Sequence, residues 1–66
     1  MQVTINGKAE EVMGGSLLDL LKAKNIEPQM VAVEVNDQMV ERTHLATTHL
    51  KDGDQVEFLF YMGGGR

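Results

Sequence analysis

The sequence predicts an α+β domain in which a mixed sheet of four to five strands carries one main helix on one face. Three observations lead there. Short alternating apolar stretches lie near both ends of the chain, and a valine-rich stretch lies between them. Only one segment has the leucine spacing of an amphipathic helix. A single helix cannot cover both faces of a sheet, so it must pack on one.

The elements follow in order. Val3 and Ile5 alternate with Gln2 and Thr4, which is the period of a short half-buried strand. Asn6-Gly7 comes next, a pair suited to a two-residue hairpin turn whose positions both need positive φ. The return strand runs from Lys8 to Val12, and its polarity places it at a sheet edge. Gly14-Gly15 breaks the chain, and Ser16 takes the N-cap position of the helix. Asp19 completes a capping box in which Asp replaces Glu. Leu17, Leu20, Leu21 and Lys24 share one helix face, with Leu18 adjoining it. Asn25 is a stop and Pro28 prevents resumption, so the helix has roughly two to three turns.

Met30 to Val35 reads as a strand with Val31, Val33 and Val35 on one side. Asn36-Asp37 turns the chain into a short strand at Met39-Val40. Glu41 to His49 has no clean period and reads as irregular chain or one helical turn. Asp52-Gly53 is expected to be a second hairpin-type turn. Gln55 to Tyr61 is the best strand, with Val56, Phe58 and Phe60 opposite Glu57, Leu59 and Tyr61. The leucines of the helix should meet Val3, Ile5, Val33, Val56 and Phe58. This order predicts a β-grasp, ubiquitin-like sheet with the last strand beside the first in the middle. The domain spans 1–62, and 63–66 form a flexible glycine-rich tail.

The chain has 66 residues and no cysteine, so it is read as one small domain without a disulfide. A domain this size buries only roughly 60% of its unfolded surface. A deep catalytic cleft is hard to build, which favours a surface or terminus used by a larger partner. Ten acidic against six basic residues give a net charge of −4. Nucleic acid is disfavoured because its phosphates need cations, and anionic membranes are disfavoured likewise. An acidic surface suits a basic partner. No apolar run approaches the ~20 residues of a membrane span. The absence of a targeting segment points to the cytoplasm.

Few side chains suggest catalysis. His44 and His49 are five apart in an irregular stretch, a poor spacing for metal ligands, and read as surface residues. Gly14-Gly15-Ser16 lacks the following lysine of a phosphate loop and is better explained as turn and cap. The methionines are expected to fill gaps in the core, Met62 excepted. Leu59 and Tyr61 share the face opposite Val56 and Phe58. With Met62 they should form an exposed apolar patch that binds a partner. After it come Gly63, Gly64 and Gly65, which remove every Cβ from the exit segment. Such a segment passes through a channel too narrow for other residues, and with Arg66 it reaches roughly 13 Å beyond the strand.

The whole chain resembles the ThiS-type sulfur carriers of thiamin biosynthesis. The stretches that carry the resemblance are Met1-Gln2-Val3-Thr4-Ile5-Asn6-Gly7 and Ser16-Leu17-Leu18-Asp19-Leu20-Leu21, with Val31 to Val40, Lys51 to Glu57 and the glycine tail. The resemblance implies a carrier that is not itself an enzyme and binds no cofactor. In this family a ThiF-like enzyme uses ATP to adenylate the C-terminal glycine carboxylate. Sulfur from a donor protein then gives a thiocarboxylate, which a ThiG-like thiazole synthase consumes. The free carrier is expected to be a monomer.

The family pattern ends in Gly-Gly, whereas this chain continues to Arg66. That displaces the α-carboxylate by about 3.5 Å and adds a cationic side chain. Trimming by a peptidase, an added terminal residue, or a related carrier that tolerates the extension would each account for it. Trimming makes Gly65 the activated end, with Gly64 and Gly63 leading to it. Carriers for molybdopterin, tungsten cofactor or cysteine synthesis stay open, as do a ubiquitin-like modifier and an interaction module with an inert tail.

Overall fold

The computed structural model describes residues 1–61. The expectations for Met62, Gly63, Gly64, Gly65 and Arg66, and the boundary between domain and tail, lie outside the described residues. The chain forms β1 (Gln2–Ile5), β2 (Lys8–Glu11), α1 (Leu17–Ala23), β3 (Val31–Val35), β4 (Gln38–Val40) and β5 (Gln55–Phe60). One-turn 3-10 helices occupy Pro28–Met30 and Arg42–His44. The strands make one sheet in the order β2-β1-β5-β3-β4. β5 is parallel to β1 and antiparallel to β3, so the last strand does lie beside the first, in the centre.

Both hairpins turn as their sequences require. Asn6 and Gly7 have φ of 49° and 84°, and Asn36 and Asp37 have 52° and 69°, the paired positive values of a type I′ turn. Asp52-Gly53 differs from expectation. Only Gly53 has positive φ there, at 90°, and the Asp54 amide donates to the Lys51 carbonyl. The turn launches β5 between β1 and β3, and no strand directly before it pairs back. It is therefore a turn but not a hairpin.

Helix α1 starts where the capping box puts it. The Ser16 hydroxyl accepts from the Asp19 amide at 3.1 Å, and the Ser16 amide donates to the Asp19 carboxylate at 3.1 Å. The segment after β4 crosses this end: the Leu17 amide donates to Thr48 and the Leu18 amide to Leu45. The first-turn N–H groups left over by helix geometry are thus satisfied. Gly15 must be glycine, because its φ is +98° and a Cβ would stand 2.8 Å from Asp19 Oδ2.

The Ser16 amide first, and the Ser16 hydroxyl second, hold the Asp19 carboxyl below its ordinary 3.8. A carboxyl with a depressed folded pKa stabilises the fold above its unfolded value and loses that contribution as pH falls through the folded one. Asp19→Asn should therefore lower Tm at neutral pH, and the gap from wild type should close as pH drops below 3.8. A gap constant from pH 7 downward would contradict this. Removing the other partner, Ser16→Ala, should cost about 1 kcal/mol in denaturant unfolding.

The core lies between α1 and one sheet face. Leu17, Leu20 and Leu21 meet Val3, Ile5, Val31, Val33, Val56 and Phe58, as the apolar periods predict. Leu45, from the stretch that showed no period, and Leu50, just beyond it, also join it. The methionine expectation fails: Met1, Met13, Met30 and Met39 are all exposed. They stand at strand ends, in a loop or on edge strand β4, beyond the cover of a seven-residue helix. Among the described residues, no helix is long and apolar enough to cross a membrane.

Candidate functional site

The described chain ends on the apolar tip of the central strand. In the antiparallel ladder, residues directly opposite share a face. Val33 faces Phe58 and Val35 faces Val56 on the helix side, whereas Ala32 faces Leu59 and Glu34 faces Glu57 on the open side. Tyr61 continues the open side two residues past Leu59. Its amide donates to the Met30 carbonyl at 3.1 Å, which keeps the backbone in line beyond the end of β5.

Leu59 is 45% exposed and Tyr61 55%, so the expected patch is present on the face α1 leaves uncovered. Phe60 belongs to it as well. It lies on the side of Val56 and Phe58, as expected, but it is 56% exposed rather than packed under the helix. The reason is length. At about 1.5 Å per residue a seven-residue helix spans roughly 10 Å, against about 20 Å for the six-residue strand. Phe60 instead meets Phe58 edge to face, with ring centroids 6.5 Å apart. The tip is thus apolar on both faces, which alternation alone did not signal, because it assigns a face and not how far the helix covers it.

Two neighbours shape the tip. A shallow groove of about 380 Å³ runs along the outer side of β3, lined by Ala32, Met39, Val40, Arg42 and Tyr61 among others. On the other side β1 has ended, and Asn6 replaces it. Its amide donates to Val56, its side chain donates to the Phe58 carbonyl, and its side-chain oxygen accepts from the Phe58 amide at 2.8 Å. Asn36 acts similarly at the other end of β5, accepting from the Gln55 amide and donating to the buried Asp54 carboxylate.

The remaining candidates are not brought together. His44 and His49 are exposed, and no cluster of three metal-ligating side chains occurs among the described residues. The helix N-terminus is occupied by Ser16, Thr48 and Leu45, so the Gly14-Gly15-Ser16 segment has turn and cap roles only. Of the residues expected to bind a partner, Leu59 and Tyr61 are both exposed at the end of the central strand, and Met62 with Gly63 to Gly65 follows them in sequence.

A family model described as the ThiS family matches residues 3–65. The fold is similar to the crystal structure of a thiamine biosynthesis protein (ThiS) from Geobacter metallireducens. The TM-score is 0.85 at 40% identity, over 98% of this chain and all of that one. The chain is also 33% identical over 67 residues to a thiazole synthase of Magnetococcus marinus, and 30% identical over 66 residues to one of Paramagnetospirillum magneticum. It spans about a fifth of the length of these two relatives, 21% and 20%.

Proposed function

The chain belongs to the ThiS family, and from that premise we propose that it is a sulfur carrier supplying thiazole formation in thiamin biosynthesis. One observation carries the reading furthest. The central strand ends in an exposed Leu59-Phe60-Tyr61 tip, and the sequence beyond it is a glycine run that the family match includes through residue 65. A fixed recognition surface joined to a side-chain-free terminus is what a carrier needs.

The chemistry uses the terminus alone. A carboxylate resists nucleophiles because its charge is delocalised. One of its oxygens attacks the α-phosphorus of ATP on a ThiF-like enzyme, pyrophosphate leaves, and an acyl-adenylate forms. Hydrosulfide, or its equivalent from a donor protein, then attacks the acyl carbon and AMP leaves, which gives the thiocarboxylate. A ThiG-like synthase takes the sulfur. The ten Asp and Glu side chains escape activation because, once Arg66 is removed, only the α-carboxylate stands at the end of a Cβ-free tether. The protein is substrate and carrier rather than enzyme, and ATP is consumed by its partner. Both steps belong where ATP is available, in the cytoplasm.

Gly65 is the activated residue, with Arg66 removed beforehand and Gly63 and Gly64 giving passage. Leu59, Tyr61 and Met62 present the tail. Intact mass spectrometry tests this after incubation with a ThiF-like enzyme, ATP and a sulfur donor. The chain ending at Gly65 should show the oxygen-to-sulfur mass increase, and the chain ending at Arg66 should not. An increase in the longer chain would remove the trimming step. No increase in either, with an enzyme active on another carrier, would remove the carrier reading.

A further inference from the structure

The Asn6-Gly7 turn carries a chemistry of its own. Of the asparagines Asn6, Asn25 and Asn36, only Asn6 precedes a glycine. A backbone nitrogen can attack the side-chain carboxamide of the asparagine before it and close a five-membered ring. Glycine is the neighbour that obstructs this attack least. Gly7 is exposed, and a Cβ built there would meet nothing within 4 Å. Among the described residues its amide donates to no acceptor, so the nitrogen is open to water and hydroxide. What opposes the attack is the clamp on β5. The Asn6 carboxamide accepts from the Phe58 amide at 2.8 Å and donates to the Phe58 carbonyl at 3.3 Å. Ring closure makes Cγ tetrahedral, so the planar amide that forms both bonds has to be given up.

We propose that Asn6 is a deamidation site guarded by this clamp, and that its products permanently loosen the strand that leads to the glycine tail. The Gly7 nitrogen loses its proton to hydroxide and bonds to the Asn6 Cγ. The Cγ–Nδ2 bond breaks, and Nδ2 takes a proton from water and leaves as ammonia. One water then opens the succinimide, and nothing is oxidised or reduced. Breaking the new N–Cγ bond gives aspartate, whereas breaking the original peptide bond gives isoaspartate. Aspartate still accepts from the Phe58 amide but has no N–H for the Phe58 carbonyl. Isoaspartate carries the chain through Cβ and Cγ, which lengthens a turn whose φ pair, 49° and 84°, fits two ordinary residues. Either product leaves the Phe58 carbonyl without the Asn6 donor, at the point where β1 has ended.

The test uses the full chain, aged in warm, mildly alkaline buffer at urea concentrations below and above unfolding. Peptide mass mapping follows the amide-to-acid change at each asparagine. Methyl transfer by an isoaspartyl methyltransferase detects the isoaspartate. Asn6 should convert before Asn25 and Asn36. It should convert about tenfold faster in the unfolded chain than in the native fold, the order expected for freeing two hydrogen bonds. At each urea concentration below unfolding, its rate should follow hydrogen exchange at the Phe58 amide rather than at Val33. The deamidated protein, separated by its added negative charge, should exchange faster at Phe58 than fresh protein. Equal rates in folded and unfolded chain would overturn the guard, as would conversion that waits for exchange at Val33. Unchanged Phe58 exchange in the deamidated form would overturn the loosening, and earlier conversion at Asn25 or Asn36 would overturn the site.

Discussion

Leu21→Ala is expected to remove a large part of the domain's stability and to lower Tm by roughly ten degrees or more. Leu21 is fully buried in the layer between α1 and the sheet. Truncating such a leucine costs about 2–5 kcal/mol, from lost transfer energy and the cavity left behind. At about 0.05–0.15 kcal/mol per residue, a chain of 66 residues has only about 3–10 kcal/mol in total. No disulfide makes up a deficit, since the chain has no cysteine. The helix has seven residues and is held by its leucines rather than by its own propensity, because isolated helices of this length are unstable in water. A fall in the thermal midpoint and in the denaturant midpoint would report the loss. Leu21→Met nearly conserves volume and should lower both less, at a cost under about 1.5 kcal/mol. A cooperative transition in Leu21→Ala within a few degrees of wild type would show that the core is not the main source of stability.

The second large effect is expected at Asn6→Gly. Glycine keeps the positive φ of the hairpin turn, so the backbone needs no strain to accept it. What is lost is the side-chain amide that pairs with both the N–H and the C=O of Phe58. Two such hydrogen bonds contribute about 1–3 kcal/mol together. The loss should be concentrated at the tip of β5, where β1 no longer reaches. Hydrogen exchange at the Phe58 amide should quicken well beyond that at Val33, in the neighbouring strand. Asn6→Asp can still accept from the Phe58 amide but cannot donate to its carbonyl, and should fall between. Equal protection of Phe58 in wild type and Asn6→Gly would overturn the clamp. If the clamp holds, fraying also reaches Leu59, Phe60 and Tyr61, the surface proposed to meet the partner. Binding then has to order that surface first, at a cost in affinity.

Local signals decided the elements. Asn6-Gly7 and Asn36-Asp37 specify type I′ turns because Asn, Asp and above all Gly tolerate positive φ, and Ser16 with Asp19 specifies a helix start over three residues. Period two and helical spacing then marked which valines and leucines face the core. One helix with several strands was enough for the β-grasp arrangement. The ordered stretches from Met1 to the glycine tail pointed to the ThiS family, to which the chain belongs.

Only the tertiary structure decided what depends on residues far apart in the chain. Leu45 and Leu50 are buried because an irregular segment crosses the start of α1, and irregular chain has no period to read. Phe60 keeps the face its alternation predicts but is exposed, because the helix ends before the strand does. The asparagines of both turns turn out also to clamp β5, a role invisible in a dipeptide. Glu34 and Glu57 become neighbours only through the β3–β5 register. Turn and period are written in residues a few positions apart. The exposed tip of β5 and the charge beside it arise from strand length and register, which the chain acquires when the sheet closes.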